Sequence, residues 1–224
     1  MQYDILSLFP EYFRSPFEVS MIKQAREKGL ISINCVDIRD FAEGKHKQVD
    51  DRPYGGGPGM VLMPGPVTNA IRSVKSEKSH VVYLSPQGNP LTAKKCKELA
   101  EKEHLVLLCG HYEGVDDRVL ELEIDEEICV GDCVLTSGCP AAIIVVDAVS
   151  RFIPGVIGHP DAAYHDSFEN QMFDSPHYTR PEEFEGLCVP EILLQGHHKK
   201  IDAWRQEQAE RKTRQVRPDL LHRS

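Results

Sequence analysis

Apolar residues open the chain in a nearly unbroken run, Tyr3–Phe9, that stops at the turn Pro10-Glu11. The residues around Phe17–Lys28 then recur with a helical period and end at Gly29, and Ile31–Ile38 alternates as a half-buried strand does. Residues 41–66 break the pattern. They are rich in glycine, proline and charge, including DDRPYGGGPGM, and an irregular stretch of that length inside a compact domain tends to carry function. Regular alternation resumes with a helix over Val67–Lys75, a strand over His80–Ser85, a helix over Thr92–Glu101 and a strand over Leu105–Cys109. A short helix from near Asp116, a strand over Glu127–Val130 and an apolar helix over Ala141–Val149 complete the series. Strands alternating with helices predict an α/β fold with a mostly parallel sheet and helices on both faces. Past Gly158 the strand signal stops. A polar stretch, His159–Asp166, leads to Phe168–Leu194, which mixes aromatics with proline, and to a charged helix near Ile201–Gln215. The expected organisation is a main domain over residues 1–158, a linker over 159–170 and a small helical unit over 171–224.

Composition narrows the class. With 41% apolar and 27% charged residues, the chain has the makeup of a globular protein. No apolar run approaches the length of about 20 residues needed to span a bilayer. The N-terminus, MQYDILSLFPEYF, has neither the basic start nor the cleavage site of a secretory signal. The expected setting is therefore the cytoplasm, with no membrane partner. Seven cysteines fit reduced thiols better than a disulfide scaffold. Cys129, Cys133 and Cys139 lack the paired spacing of a structural zinc site. The net charge of −9 argues against nucleic acid until its distribution is considered. From His197 to Ser224, eight Lys and Arg stand against four Asp and Glu, whereas Glu113–Glu127 holds eight carboxylates and one Arg. A basic end on an acidic chain can meet phosphates.

Three expected strands run straight into loops with turn chemistry: Leu84-Ser85-Pro86-Gln87-Gly88, Cys109-Gly110-His111-Tyr112-Glu113-Gly114, and Gly131 through Gly138. In open α/β sheets, ligands sit beyond the carboxyl ends of strands. Several common chemistries are absent. Gly55-Gly56-Gly57-Pro58-Gly59 lacks the Lys-Ser/Thr pair of a phosphate loop, and no G-x-G-x-x-G opens a helix after the first strand. Neither G-x-S-x-G nor H-E-x-x-H occurs. The glycine cluster reads instead as a lid, with Asp50, Asp51 and Arg52 beside it.

The words LSLFPEYF, VDDRPYGGGPGM, YLSPQG, CGHYEGVDDRV, SRFIPGVIGH and YTRPEEFEG occur in fixed order across the chain. Together they resemble the bacterial tRNA (guanine-N1)-methyltransferases, TrmD, of the SPOUT class of knotted methyltransferases. That resemblance implies a trefoil knot in the C-terminal part of the α/β domain, a small helical domain and a homodimer with composite sites. It implies S-adenosylmethionine held by Tyr83, Leu84, Ser85 and Pro86, by Gly110, Tyr112, Glu113 and Gly114, and by Val130, Gly131, Asp132, Cys133, Val134, Leu135 and Gly138. The substrate implied is tRNA, not DNA, at the guanosine directly 3′ of the anticodon. Asp166 takes the place of the general base and Arg151 that of the catalytic arginine. Asp50, Arg52 and Gly59 by the lid, with Lys199 and Arg205 on the basic helix, are expected to meet the substrate. The family's link to Mg²⁺ points to Glu113 and Asp166 as ligands. Two departures stand out. Leu135-Thr136-Ser137-Gly138-Cys139-Pro140-Ala141-Ala142 differs from the expected L-S-G-G-E-L-P-A, placing Cys139 at the acidic position, and the end at Ser224 suggests a shortened helical domain. Two other readings stay open: action on a different RNA guanosine, and an RNA-binding protein without catalysis.

Overall fold

The opening apolar run forms β1 (Gln2–Ser7), followed by α1 (Ser20–Glu27) and β2 (Ser32–Asp37). The irregular stretch contains two short strands, β3 (Asp50–Asp51) and β4 (Val61–Leu62), paired antiparallel. Then come α2 (Pro64–Val74), β5 (Ser79–Pro90), α3 (Ala93–Ala100), β6 (His104–Cys109), α4 (Asp117–Glu123), β7 (Glu126–Cys129) and α5 (Cys139–Ser150). This computed structural model describes residues 1–158 and 166–222. The chain divides into two units, Met1–Pro160 and Asp161–Ser224. Residues 159–165, most of the expected linker, lie outside the described residues.

Five strands of the first unit make one sheet in the order β2-β1-β6-β5-β7, and every neighbouring pair is parallel. Parallel neighbours need crossovers, so helices cover both faces and central strands lose their polar alternation. β6 shows this directly: all six of its residues are buried. On one face, Ile22 and Ala25 of α1, Cys96 and Leu99 of α3, and Ala142, Val145, Val146 and Val149 of α5 pack with Ile5 and Leu107. On the other, Val67, Ala70 and Ile71 of α2 and Val119 of α4 pack with Leu6, Val106 and Leu108. Local signals fix the helix starts. Pro64 opens α2, where the missing N–H is harmless. The Thr92 hydroxyl caps α3 by accepting from Lys95 N at 3.1 Å.

β5 differs from its sequence expectation by continuing to Pro90. Leu84 pairs with Ile128, the chain bulges out over Ser85–Gly88, and Asn89 pairs with Ile128 again. One strand thus leaves the sheet and returns to the same neighbour. Pro86 within it hid the continuation, because proline inside a run argues against a strand.

The second unit centres on α7 (His198–Val216), which follows α6 (Glu191–Leu194). Ile201, Ala209 and Thr213 form its buried side. The Thr213 hydroxyl accepts from Phe173 N at 2.8 Å and donates to Ala209 O at 2.8 Å. The expectation that strands stop after Gly158 is corrected here. β8 (Glu183–Phe184) and β9 (Leu187–Cys188) form an antiparallel hairpin through Glu185 and Gly186, both at positive φ. Positive φ at both central residues is the tight-hairpin geometry. Two exposed residues per strand leave no periodicity for a sequence reading to find.

Ile128 is buried and holds both sides of the β5 bulge. Ile128→Ala should destabilise the protein by about 2–5 kcal/mol, measured as a lower denaturation midpoint in urea.

Candidate active site

The loops that leave β5, β6 and β7 meet at the carboxyl edge of the sheet and enclose a cavity of about 400 Å³. That volume falls in the range of small-molecule sites, roughly 300–1,000 Å³. Its first wall is the β5 bulge, with Tyr83, Leu84, Ser85, Pro86 and Gln87. The Ser85 hydroxyl braces it by accepting from Gln87 N at 3.1 Å. The second wall runs from Gly110 to Val115, and the third from Ile128 to Gly138. Of the residues expected to hold a cofactor, all but Asp132 line this one cavity.

Backbone contacts lock the second and third walls together. Gly138 N donates to Gly110 O at 2.8 Å, and His111 bridges Ser137 in an isolated ladder step. A Cβ on Gly138 would stand 2.8 Å from Cys109 Cα and 2.9 Å from Gly110 N. Only glycine permits that approach of backbone to backbone. The second wall is also tied to the expected lid. Glu113 N donates to Met60 O at 3.0 Å, and Leu62 N donates to Gly114 O at 2.9 Å. Gly59 lies directly against Glu113, whose side chain fills the space where a Cβ would be, at 2.5 Å. Tyr112 projects from this wall with φ +58°, a left-handed backbone that a bulky residue adopts rarely. Such outliers persist where the surroundings enforce them, often at ligand sites. Burial, followed by the Asp50 carboxylate, raises the hydroxyl pKa of Tyr112, and Arg39 opposes them. Burial and the charge of Glu127 likewise raise Tyr83, against a hydrogen bond from the Val115 backbone.

The electrostatics of the cavity are one-sided. Among the described residues, its lining includes the carboxylates of Glu113, Asp117 and Glu127 and contains neither Lys nor Arg. A phosphate would be repelled here, whereas a cationic ligand is favoured. Sequence reasoning missed Asp117 and Glu127, which enter from the start of α4 and from β7. It also missed His111, although that residue sits inside one of the loops it selected. The acidic run was visible in the sequence. Which of its members face the cavity depends on how α4 crosses the sheet.

Other expected site residues lie elsewhere. Asp50 belongs to β3, and Arg52 is exposed next to it, its N–H bonded to the Asp51 carboxylate at 2.7 Å. Arg151 caps the far end of α5. Since α5 begins at the cavity and has 12 residues, Arg151 is about 18 Å along the axis from it. Asp166 falls in the second unit. There it lines a hollow of about 470 Å³ with Asn170, Asp174, His177, Asp202 and Arg205. Lys199 and Arg205 are exposed on α7. Glu113 and Asp166 belong to different units, and no group of three or more His, Cys, Asp or Glu side chains is placed to hold a metal among the described residues. No helix among the described residues is long and apolar enough to cross a membrane.

The comparisons with known proteins agree with one another. The family model described as tRNA (Guanine-1)-methyltransferase TrmD matches residues 1–223. A tRNA (guanine-N(1)-)-methyltransferase of Protochlamydia amoebophila is 62% identical over 218 residues, covering 97% of this chain and 98% of that protein. Proteins of the same name from Chlamydia pneumoniae and Chlamydia muridarum are 58% and 57% identical over 220 residues. Those alignments cover 98% of this chain but 61% and 62% of the two relatives. With a family match along essentially its whole length, the chain belongs to the tRNA (guanine-N1)-methyltransferase family, TrmD.

Proposed function

We propose that this protein transfers a methyl group from S-adenosylmethionine to N1 of the guanosine immediately 3′ of the anticodon in tRNA. The observation that carries this reading is the cavity at the carboxyl edge of the sheet, acidic and, among the described residues, free of Lys and Arg, in a chain of this family. S-adenosylmethionine bears a sulfonium and an ammonium, and it supplies an electrophilic methyl group. Glu113, Asp117 and Glu127 would favour its positive charges. The backbone groups of the Gly110–Gly114 and Val130–Gly138 walls would hold its flat and polar parts. Gly131, with nothing within 4 Å of where a Cβ would stand, leaves that backbone open.

The rest of the reaction falls to groups outside the cavity. Asp166 would accept the N1 proton as general base. A free Asp, with a pKa near 3.9, is a weak base for such a proton, so charge developing on the guanine O6 needs a cation. Arg151 would provide it. Arg151 stands about 18 Å along α5 from its own chain's cavity, which supports a two-fold homodimer in which one chain's Arg151 serves the other's cofactor. A trefoil knot over the C-terminal part of the first unit belongs to the same reading, on the strength of the family match. The proposed mechanism includes no step through Mg²⁺. The setting is the cytoplasm, where tRNA is modified. Asp50, Arg52 and Gly59 would cover the target base, and α7 would hold the tRNA backbone.

Two measurements test the reading. Asp166→Asn keeps shape but cannot take a proton, so single-turnover methyl transfer to an unmodified tRNA transcript should fall about 10²-fold or more. Equilibrium S-adenosylmethionine binding should stay near wild type. An unchanged transfer rate would refute the general-base role, and joint loss of binding would make Asp166 a structural residue. Neutralising Lys199, Lys200, Arg205 and Arg211 together should weaken tRNA binding and lower its salt slope by about 3–4. A slope equal to wild type would remove α7 from the interface.

A further inference from the structure

The chain holds one tryptophan, Trp204, and it stands on the basic helix α7. Lys200 precedes it by four residues and Arg211 follows it by seven, spacings that set all three along one stripe of the helix. Both cations are exposed and the indole is partly so. Glu207 is the carboxylate that borders the stripe. The ring of Tyr178 lies beside the indole, with centroids 6.4 Å apart and planes at 53°, within the range of an aromatic pair. Tyr178 is nevertheless 48% exposed. The segment that carries it is held to α7 by Phe173 N, which donates to Thr213 Oγ1 at 2.8 Å, and Ser175 between them in sequence is buried. A half-exposed ring, steadied by a second ring and set among cations, suits a flat ligand carried on a polyanion.

Charge separates this ring from the other exposed aromatics of the second unit. Phe184, 64% exposed, sits on the hairpin between Glu183 and Glu185, and Phe168 lies between Asp166 and Glu169. Those carboxylates would repel a phosphate backbone. Tyr178 has His177 and Arg180 close in sequence, with Lys200 and Arg211 on the helix stripe. Two carboxylates of the same unit are already engaged: Asp174 Oδ2 lies 2.8 Å from His177 Nε2, and Asp202 lies 3.8 Å from Arg205.

We propose that Tyr178, backed by Trp204, is the platform on which an unpaired base of the tRNA anticodon loop stacks while the cations of α7 hold the phosphates. This inference rests on tRNA being the substrate. The ring supplies what the cations cannot. Lys and Arg hold the phosphates of a stem and of a loop alike, whereas a base already paired and stacked in a stem has no free face to offer. An aromatic platform therefore favours a strand whose bases are turned out. Every base has such a face, so the contact tolerates any sequence. The target guanosine adjoins the anticodon, and the loop is the part of the tRNA whose unpaired bases the enzyme must approach. Tyr178 is thus a positioning residue: it touches the loop, not the reacting atoms.

Equilibrium binding of the full-length protein to an unmodified tRNA transcript, repeated across salt concentrations, tests the platform. Tyr178→Leu keeps an apolar side chain beside Trp204 but has no aromatic face. It should bind about tenfold or more weakly at every salt concentration. Its salt slope should equal that of wild type, because no phosphate contact is lost. Tyr178→Phe keeps the ring and should bind as wild type does. Equal affinity of Tyr178→Leu and wild type would overturn the proposal. So would a phenylalanine variant as weak as the leucine one, or a slope lowered by the leucine substitution.

A second readout uses the unsubstituted protein and so does not depend on any variant folding. Selective excitation of tryptophan reports Trp204 alone. A base stacked on the adjacent ring should quench that emission in step with binding, and an RNA duplex without a loop should quench it far less at equal occupancy. Unchanged emission at saturating transcript, or equal quenching by the duplex, would overturn the platform. If wild type failed to bind tRNA at all, the functional reading itself would fall. If it bound but Tyr178→Leu bound equally well, the platform alone would fall.

Discussion

A parallel sheet cannot be closed by hairpins, and most of this molecule follows from that limit. Each strand must be re-entered from its start, so a crossover helix lies over one face or the other and every strand delivers its carboxyl end to the same edge. The alternate placement of α3 and α4 on opposite faces lets β6 and β7 flank β5. Three carboxyl ends become neighbours although their residues are tens of positions apart. The cavity is what lies between their loops.

Charge is partitioned between the two units in a way that average composition conceals. The acidic run that makes the chain negative supplies cavity walls in the first unit, and the basic run occupies one exposed helix in the second. Not all of the acidic run is solvated. Glu123 is buried and is met by Arg72 at 2.7 Å and Lys75 at 3.3 Å, joining α4 to α2. A cationic small molecule and a polyanionic one can therefore be met by one acidic chain, each on its own surface.

Much of the fold was legible because parallel strands and their helices carry strong apolar patterns. Tyr3–Phe9, Leu105–Cys109 and the apolar helix before Arg151 all became the expected kind of element within a few residues. Ser85–Gly88 looked like an ordinary exit turn. Its return to Ile128 depends on the partner strand, which no local pattern encodes. The hairpin at Glu183–Cys188 was invisible for the opposite reason: its strands are too short to have a period. For the candidate site, the three loops could be picked out from their glycines and position. Their convergence on one cavity, and the entry of Asp117 and Glu127, needed the crossing of α4. Cys139 stood out in the sequence only as a departure from an expected pattern. Its surroundings come from Ser7 and His111, far apart along the chain.

The return of β5 to its own neighbour also bears on how a ligand meets the cavity. A four-residue excursion fastened at both ends to one residue of the adjacent strand has little freedom left to lose. Its ordering entropy is settled when the sheet forms, not when a ligand arrives. That wall acts as a template, and discrimination against it rests on shape: a ligand with added bulk on that side meets a fixed backbone and is refused. Adaptation to different occupants is left to segments without such fastening, such as Tyr54 and the Gly55–Gly59 run, which extend into solvent.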